Sequence, residues 1–236
     1  MRQLDFAFMA ECLGPIVIQG VPVAIRISVI AFIFGAIIGL LVALTKIYEI
    51  PVLKQISVVY ISLFRGTPLL VQILIAYYGV PILLNNIGVL TGLDLNINNV
   101  STYTFLYVVY SLNAGSYMSE TIRAAILSVD RGQLEAGLSI GMSTPQVLWR
   151  IILPQAVKVA IPSLGNSFIS LTKETSLAFV VSVPDILGQA KIIAGRTTRF
   201  FEAYIVAALV YWAVCIICEL ALRVIEAKSR KHERRN

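Results

Sequence analysis

Apolar residues recur along this chain in five long runs, at about 16–45, 56–84, 101–123, 157–183 and 201–225, separated by short polar stretches. Each run reaches the roughly 20 residues that an α-helix needs to cross the hydrocarbon core of a bilayer. The pattern therefore predicts an all-α membrane protein: one transmembrane domain over 1–236 with five transmembrane helices. The second run is long enough to tilt, or to contain a break at Gly66-Thr67-Pro68. The third is only moderately apolar and carries Asn113, Ser116 and Ser119. A span of that kind faces protein or a cavity rather than lipid. Asp5 to Pro15, ahead of the first run, reads as a short amphipathic piece along the interface.

The segment between the third and fourth runs, about 124–156, departs from this pattern. Within it, Gly132 to Gln155 reads GQLEAGLSIGMSTPQVLWRIILPQ. Leu134, Leu138 and Ile140 can share one helical face, with Arg131 and Glu135 supplying charge. Gly141 suits the left-handed position that ends a helix. Ser143 or Thr144 can cap a second helix with Pro145 at its first position, where no N–H is needed. Pro154 is expected to break that helix again. The product is a helix–turn–helix knob, shaped to dock in a groove on a partner or to lie on the lipid interface.

Composition agrees with the membrane, since 58% of residues are hydrophobic and 14% charged, too little polar surface for a soluble domain of 236 residues. The net charge of +6 is unevenly placed. Lys46, Lys54, Arg123, Arg131, Arg150, Lys158 and the tail with Arg223, Lys228, Arg230, Lys231, Arg234 and Arg235 fall on one side if five spans alternate. The other side holds Arg2 and no basic residue in 85–100. The positive-inside rule then puts the C-terminus in the cytoplasm and the N-terminus outside. The 184–203 loop opposes the rule with Lys191, Arg196 and Arg199. It either covers the outer mouth or meets an acidic protein there, and its Asp185 can cap a short helix. Met1 to Leu13 lacks the basic, then apolar, order of a signal peptide. The basic tail reads as a topology signal, not a nucleic-acid site.

Five ionisable residues fall inside spans, where charge is costly and faces a cavity or a partner. Arg26, near the outer end of the first span, can snorkel to the interface. Arg65 adjoins the Gly66-Thr67-Pro68 break; its guanidinium suits a substrate α-carboxylate, and suits Glu120 or Glu174 equally. Glu120 stands three residues before Arg123, as in an ion pair on one helical face. Lys173 and Glu174 are adjacent, point in different directions on a helix and need separate partners. Asn113, Ser116 and Ser176 add neutral polar groups that serve either a translocation path or helix–helix hydrogen bonds. Cys12, Cys215 and Cys218 form no framework, and the one histidine, His232, excludes a histidine-based metal cluster. No G-x-x-x-x-G-K-[ST] loop is present to bind a nucleotide.

The Glu135-Ala136-Gly137…Gly141 segment, followed by Ile152-Leu153-Pro154, resembles the EAA loop of ABC importer permeases. Gly137 stands where the family's motif has its second alanine. Phe64-Arg65-Gly66-Thr67-Pro68-Leu69, Ala114 to Arg123 and Leu171 to Leu177 resemble segments of the polar amino-acid branch. The resemblance covers about Arg26 to Glu226. It implies a type I importer-like fold in a bacterial cell membrane, with Glu135, Ala136, Gly137, Gly141 and Met142 as the ATPase-coupling loop. It also implies a second permease subunit, two ATPase subunits that bind ATP and Mg, an extracytoplasmic solute-binding protein and an amino-acid substrate. No covalent chemistry, and no cofactor of its own, is implied for this chain. An ion-coupled secondary transporter is the alternative, although five spans leave no room for an inverted repeat.

Overall fold

The computed structural model describes residues 4–92 and 100–230. Arg2, Lys231, His232, Arg234 and Arg235 lie outside the described residues. The described residues form eight helices and no strand: α1 (Phe6–Ile47), α2 (Leu53–Gly66), α3 (Leu69–Thr91), α4 (Thr102–Leu127), α5 (Arg131–Ser139), α6 (Thr144–Val181, its last turns 3₁₀ over Thr175–Val181), α7 (Ile186–Thr197) and α8 (Phe200–Arg230). Four of them, Phe6–Ile47, Leu69–Thr91, Thr144–Val181 and Phe200–Ser229, are long and apolar enough to cross a membrane.

The fifth expected span, α4, is 26 residues long, about 39 Å at helical rise, but more polar. Its position explains its composition. Tyr110, Ser111, Asn113, Ser116 and Ser119 are all buried, so α4 is the axis of the bundle and is shielded from lipid. α1 lies against it in the same direction. Arg26 stacks over Tyr103 at one end, 4.3 Å from the ring centroid, and Lys46 pairs with Glu120 at the other. The two helices approach closely because Ala31, Gly35, Gly39 and Ala43 recur every four residues on the buried face of α1. A Cβ on Gly35 would come within 2.8 Å of Ala114 Cβ, and one on Gly39 within 3.0 Å of the Ser119 nitrogen. Small residues at this spacing let backbones pack where the surrounding lipid supplies no hydrophobic drive.

The parallel arrangement of α1 and α4 requires the intervening chain to run back, and the α2–α3 arm does so. It breaks at Thr67-Pro68, both of which are extended. Past the break, α3 runs to Thr91, seven residues beyond the boundary expected from polarity; the exposed Ile82, Leu83, Ile87, Val89 and Leu90 keep that stretch lipid-compatible. Asp5 to Pro15 is not a separate interfacial piece. Asp5 caps α1, accepting from the Phe8 N–H at 3.0 Å, and Phe8, Cys12 and Ile16 are buried in a core with Ala190, Ala194, Val206 and Val210 of α7 and α8. The same helix continues through the first span.

Pro154 also fails to break its helix. A widened π turn at Leu148–Ile152 precedes it, and the Leu153 N–H donates to Leu148 O, five residues back. The wider turn relieves the clash of a proline ring with the carbonyl four residues earlier. Pro22 and Pro81 likewise follow π turns, at Ile16–Gly20 and Ile75–Gly79. Pro22, Pro81 and Pro154 are accommodated by one device, whereas Pro15 and Pro162 stand inside their helices with no π turn just before them.

Candidate functional site

Two features stand out: a capped knob at one end of the bundle and a polar cavity in its middle. The knob is α5, a four-residue turn and the first turns of α6. Asp130 caps α5, its carboxylate accepting from the Gly132 N–H at 2.6 Å. The helix ends in a Schellman motif around the C-cap Ile140. Met142 N–H donates to Gly137 O at 3.1 Å and Gly141 N–H to Leu138 O at 3.0 Å, with Gly141 at φ +85°. Ser143, not Thr144, caps α6; its N–H donates to Gln146 Oε1 at 2.9 Å, and Pro145 falls one position later than expected, at the second helical residue. Gly137 is buried against Val147 and Ile151, which closes α5 onto α6. Glu135, Ala136 and Gly141 are exposed, Met142 is half-buried, and Leu138 and Ile140 turn outward, Ile140 with 78% of its surface exposed. The knob is thus internally satisfied and presents a carboxylate beside two uncovered apolar side chains.

The cavity, about 370 Å³, opens between α4 and α6. Asn113, Tyr117, Asn166, Ser167, Ser170 and Glu174 give it a polar lining. Its wall is joined to the break in the α2–α3 arm. In an unbroken helix Phe64 O would accept from residue 68, but Pro68 has no N–H. The Gln72 side-chain amide takes that place, donating to Phe64 O and Thr67 O at 3.0 Å each and lying 2.8 Å from Thr67 Oγ1. Asn113 Nδ2 in turn donates to Gln72 Oε1 at 2.9 Å and approaches Phe64 O at 3.4 Å.

The remaining candidates divide. Asn113 and Glu174 line the cavity. Arg65 adjoins it, exposed, its guanidinium 4.8 Å from the ring centroid of Tyr117. It pairs with neither Glu120 nor Glu174. Glu120 is held instead by Lys46 and by Arg123 Nε at 2.9 Å, at the knob end of the bundle. The pairing with Arg123 followed from spacing; Lys46, 74 residues away, gave no local signal. Ser116 is fully buried between α4 and its neighbours, its hydroxyl donating to Asn113 O. Lys173 is exposed beside the cavity without a carboxylate within 4 Å among the described residues, and Ser176 is half-buried past Glu174.

The 184–203 segment is a packed element. Asp185 caps α7 through the Gly188 N–H at 3.0 Å and is fully buried, accepting also from Thr175 Oγ1 at 3.1 Å and from the Tyr211 hydroxyl. Of its basic residues, Lys191 faces the Phe179 ring and Arg199 pairs with Asp5 over Phe8. Two of the three charges that oppose the topology rule are therefore engaged within the chain.

Comparison with known proteins places these features. Residues 31–231 match the family of binding-protein-dependent transport system inner membrane components. The chain is 42% identical over 231 residues to the probable amino-acid permease protein YxeN of Bacillus subtilis, covering 98% of both chains. It is 40% identical over 230 residues to the L-cystine transport system permease protein TcyB of the same organism, covering 97% of this chain and 93% of that one. Among solved structures, an amino acid ABC transporter superposes with a TM-score of 0.80 at 33% identity, over 96% of this chain and all of the other. The chain belongs to the binding-protein-dependent transport system inner membrane components and is an all-α permease of the ABC importer kind.

Proposed function

We propose that this permease carries an amino acid through the cavity between α4 and α6, as one of two permease subunits, identical or related. The knob passes on the nucleotide-driven motion of a separate ATPase pair, which binds ATP and Mg. The observation that carries the reading is the cavity itself. A polar pocket of about 370 Å³ in a largely apolar bundle has room for one amino acid, with Glu174 and Asn113 suited to an ammonium group and Arg65 to a carboxylate. The named relatives, one of them an L-cystine permease, support an amino-acid substrate. The family supports a solute-binding protein on the outer face and a bacterial inner-membrane location. The basic residues gathered at the knob end support a cytoplasmic knob, tail and Lys46–Glu120–Arg123 cluster, with the Asp5–Arg199 pair outside.

The coupling claim is tested with Glu135→Lys and Gly141→Pro. The first reverses the exposed charge. The second demands φ near −65° where the chain has +85° and deletes the N–H bonded to Leu138 O. Both variants should insert in the membrane yet lose co-purification with the ATPase or substrate-stimulated hydrolysis. Unchanged values for both would end the coupling role.

A further inference from the structure

Gln72 does not line the cavity; it lies behind Asn113, at the break. Resting on the transport reading above, we propose that Gln72 is a positioning residue for substrate. It fixes the Asn113 carboxamide with its oxygen toward the cavity, as an acceptor for the ammonium group of an amino acid, beside the Glu174 carboxylate.

The amide orientations around the break are forced one after another. Phe64 O and Thr67 O are backbone carbonyls and only accept. The end of the Gln72 side chain that faces them is therefore its NH₂. Thr67 Oγ1 donates its own proton to Leu63 O at 2.7 Å, so it too meets Gln72 as an acceptor. Gln72 Oε1 must then point the other way, where it meets Asn113 at 2.9 Å. An oxygen there requires Asn113 to present Nδ2, and Nδ2 is drawn the same way by Phe64 O. Asn113 Oδ1 is left for the cavity. Among the described residues no donor reaches it, and no fully buried side-chain nitrogen or oxygen lacks a partner, so Oδ1 is open to the space that Asn113 lines. The proline that breaks the second span thus sets the polarity of the cavity wall through two amides. Asn113 Oδ1 and the Glu174 carboxylate, two acceptors, line this cavity together with Tyr117, Asn166, Ser167 and Ser170, whose side chains can also donate. Acceptors recognise an ammonium donor, and a flipped Asn113 amide would repel one.

The test uses the complete transporter in vesicles with a ¹⁴C-labelled mixture of the twenty protein L-amino acids and L-cystine. No ATP-dependent uptake by the wild type would sink the transport reading, and this inference with it. With uptake established, the amino acid that accumulates is the probe, and its binding to the permease–ATPase complex without binding protein is measured by equilibrium dialysis. Gln72→Ala should weaken binding about tenfold, as for loss of one charge-assisted contact. Gln72→Glu, equal in size but unable to donate to Phe64 O and Thr67 O when ionised, should do the same. Asn113→Ala should also weaken binding, and Gln72→Ala added to it should weaken it no further. The desamino counterpart of the probe should bind the wild type and Gln72→Ala equally. Wild-type affinity in either Gln72 variant, or losses that multiply in the double variant, would overturn the proposal. Failure of both Gln72 variants to assemble with the ATPase would overturn it too, by making Gln72 a brace for the break alone.

Discussion

Gly137 and Val147 are fitted to one another: a Cβ built on Gly137 would lie 2.6 Å from Cγ2 of Val147. Val147 is fully buried and β-branched, so it has little rotamer freedom with which to retreat. Gly137 also occupies the position where the EAA motif of related permeases has alanine. The departure matches the bulk across from it. Gly137→Ala gains about 1 kcal/mol of helix propensity but overpacks the α5–α6 contact by about 1–3 kcal/mol. The expected net result is a small loss of thermal stability, with weaker ATPase docking as the knob opens. Val147→Ala in the same chain should restore docking. Calorimetry and co-purification of the single and double variants check both statements, and an undisturbed Gly137→Ala variant would refute the pairing.

Asp5 and Arg199 join the start of α1 to the turn between α7 and α8, which puts both at one end of the bundle. The Phe8 backbone N–H and the Arg199 guanidinium hold the Asp5 carboxyl below the ordinary aspartate range. A lowered value in the folded protein means that the pair contributes at every pH above that range. Its contribution is lost only as the pH falls through the lowered value. Between pH 7 and pH 5 the exchange of the Phe8 amide should therefore stay slow, and Asp5→Asn should speed it at both. The same pairing sharpens the topology. In a cysteine-free background, Thr198→Cys should label from outside and Ser229→Cys from the cytoplasmic side. Labelling of both from one side would overturn the orientation.

The spans and the knob were legible because each rests on local pattern. Apolar runs mark lipid contact, and Gly141 followed by Ser143 and Pro145 marks a stop and a restart within a few residues. What stayed hidden depends on partners distant in sequence. Lys46 and Glu120 are brought together only by the parallel packing of α1 on α4, and Asp185 meets Tyr211 only when α7 folds onto α8. Two features had readable signals. Ala31, Gly35, Gly39 and Ala43 at intervals of four announce a close helix contact. Pro68 inside a span announces an orphaned carbonyl at Phe64, and Gln72 is the first amide side chain after it. Pro154 misled for a physical reason: a proline ends a helix only where a widened turn cannot absorb it.

Arg65 offers the sharpest test of the path. Sequence alone left its guanidinium shared between a substrate carboxylate and Glu120 or Glu174. Glu120 is now accounted for by Lys46 and Arg123. Glu174 faces the cavity without an ion pair to Arg65, and Arg65 is exposed over Tyr117. Removing Arg65 therefore strands no buried carboxylate among the described residues. An exposed cation–π contact is worth about 0.5–1 kcal/mol, so Arg65→Ala should barely move the thermal stability of the purified complex. If the guanidinium meets a substrate carboxylate, the same change removes a charge-assisted contact worth roughly 1.5–3 kcal/mol, or about ten- to a hundredfold in affinity. Arg65→Lys keeps the charge and loses the planar fork, and should recover part of that affinity. Tyr117→Leu should fall between, because it frees Arg65 without removing it. A sharp drop in stability on Arg65→Ala, with binding unaffected in the surviving fraction, would instead assign Arg65 to a carboxylate of the second permease subunit.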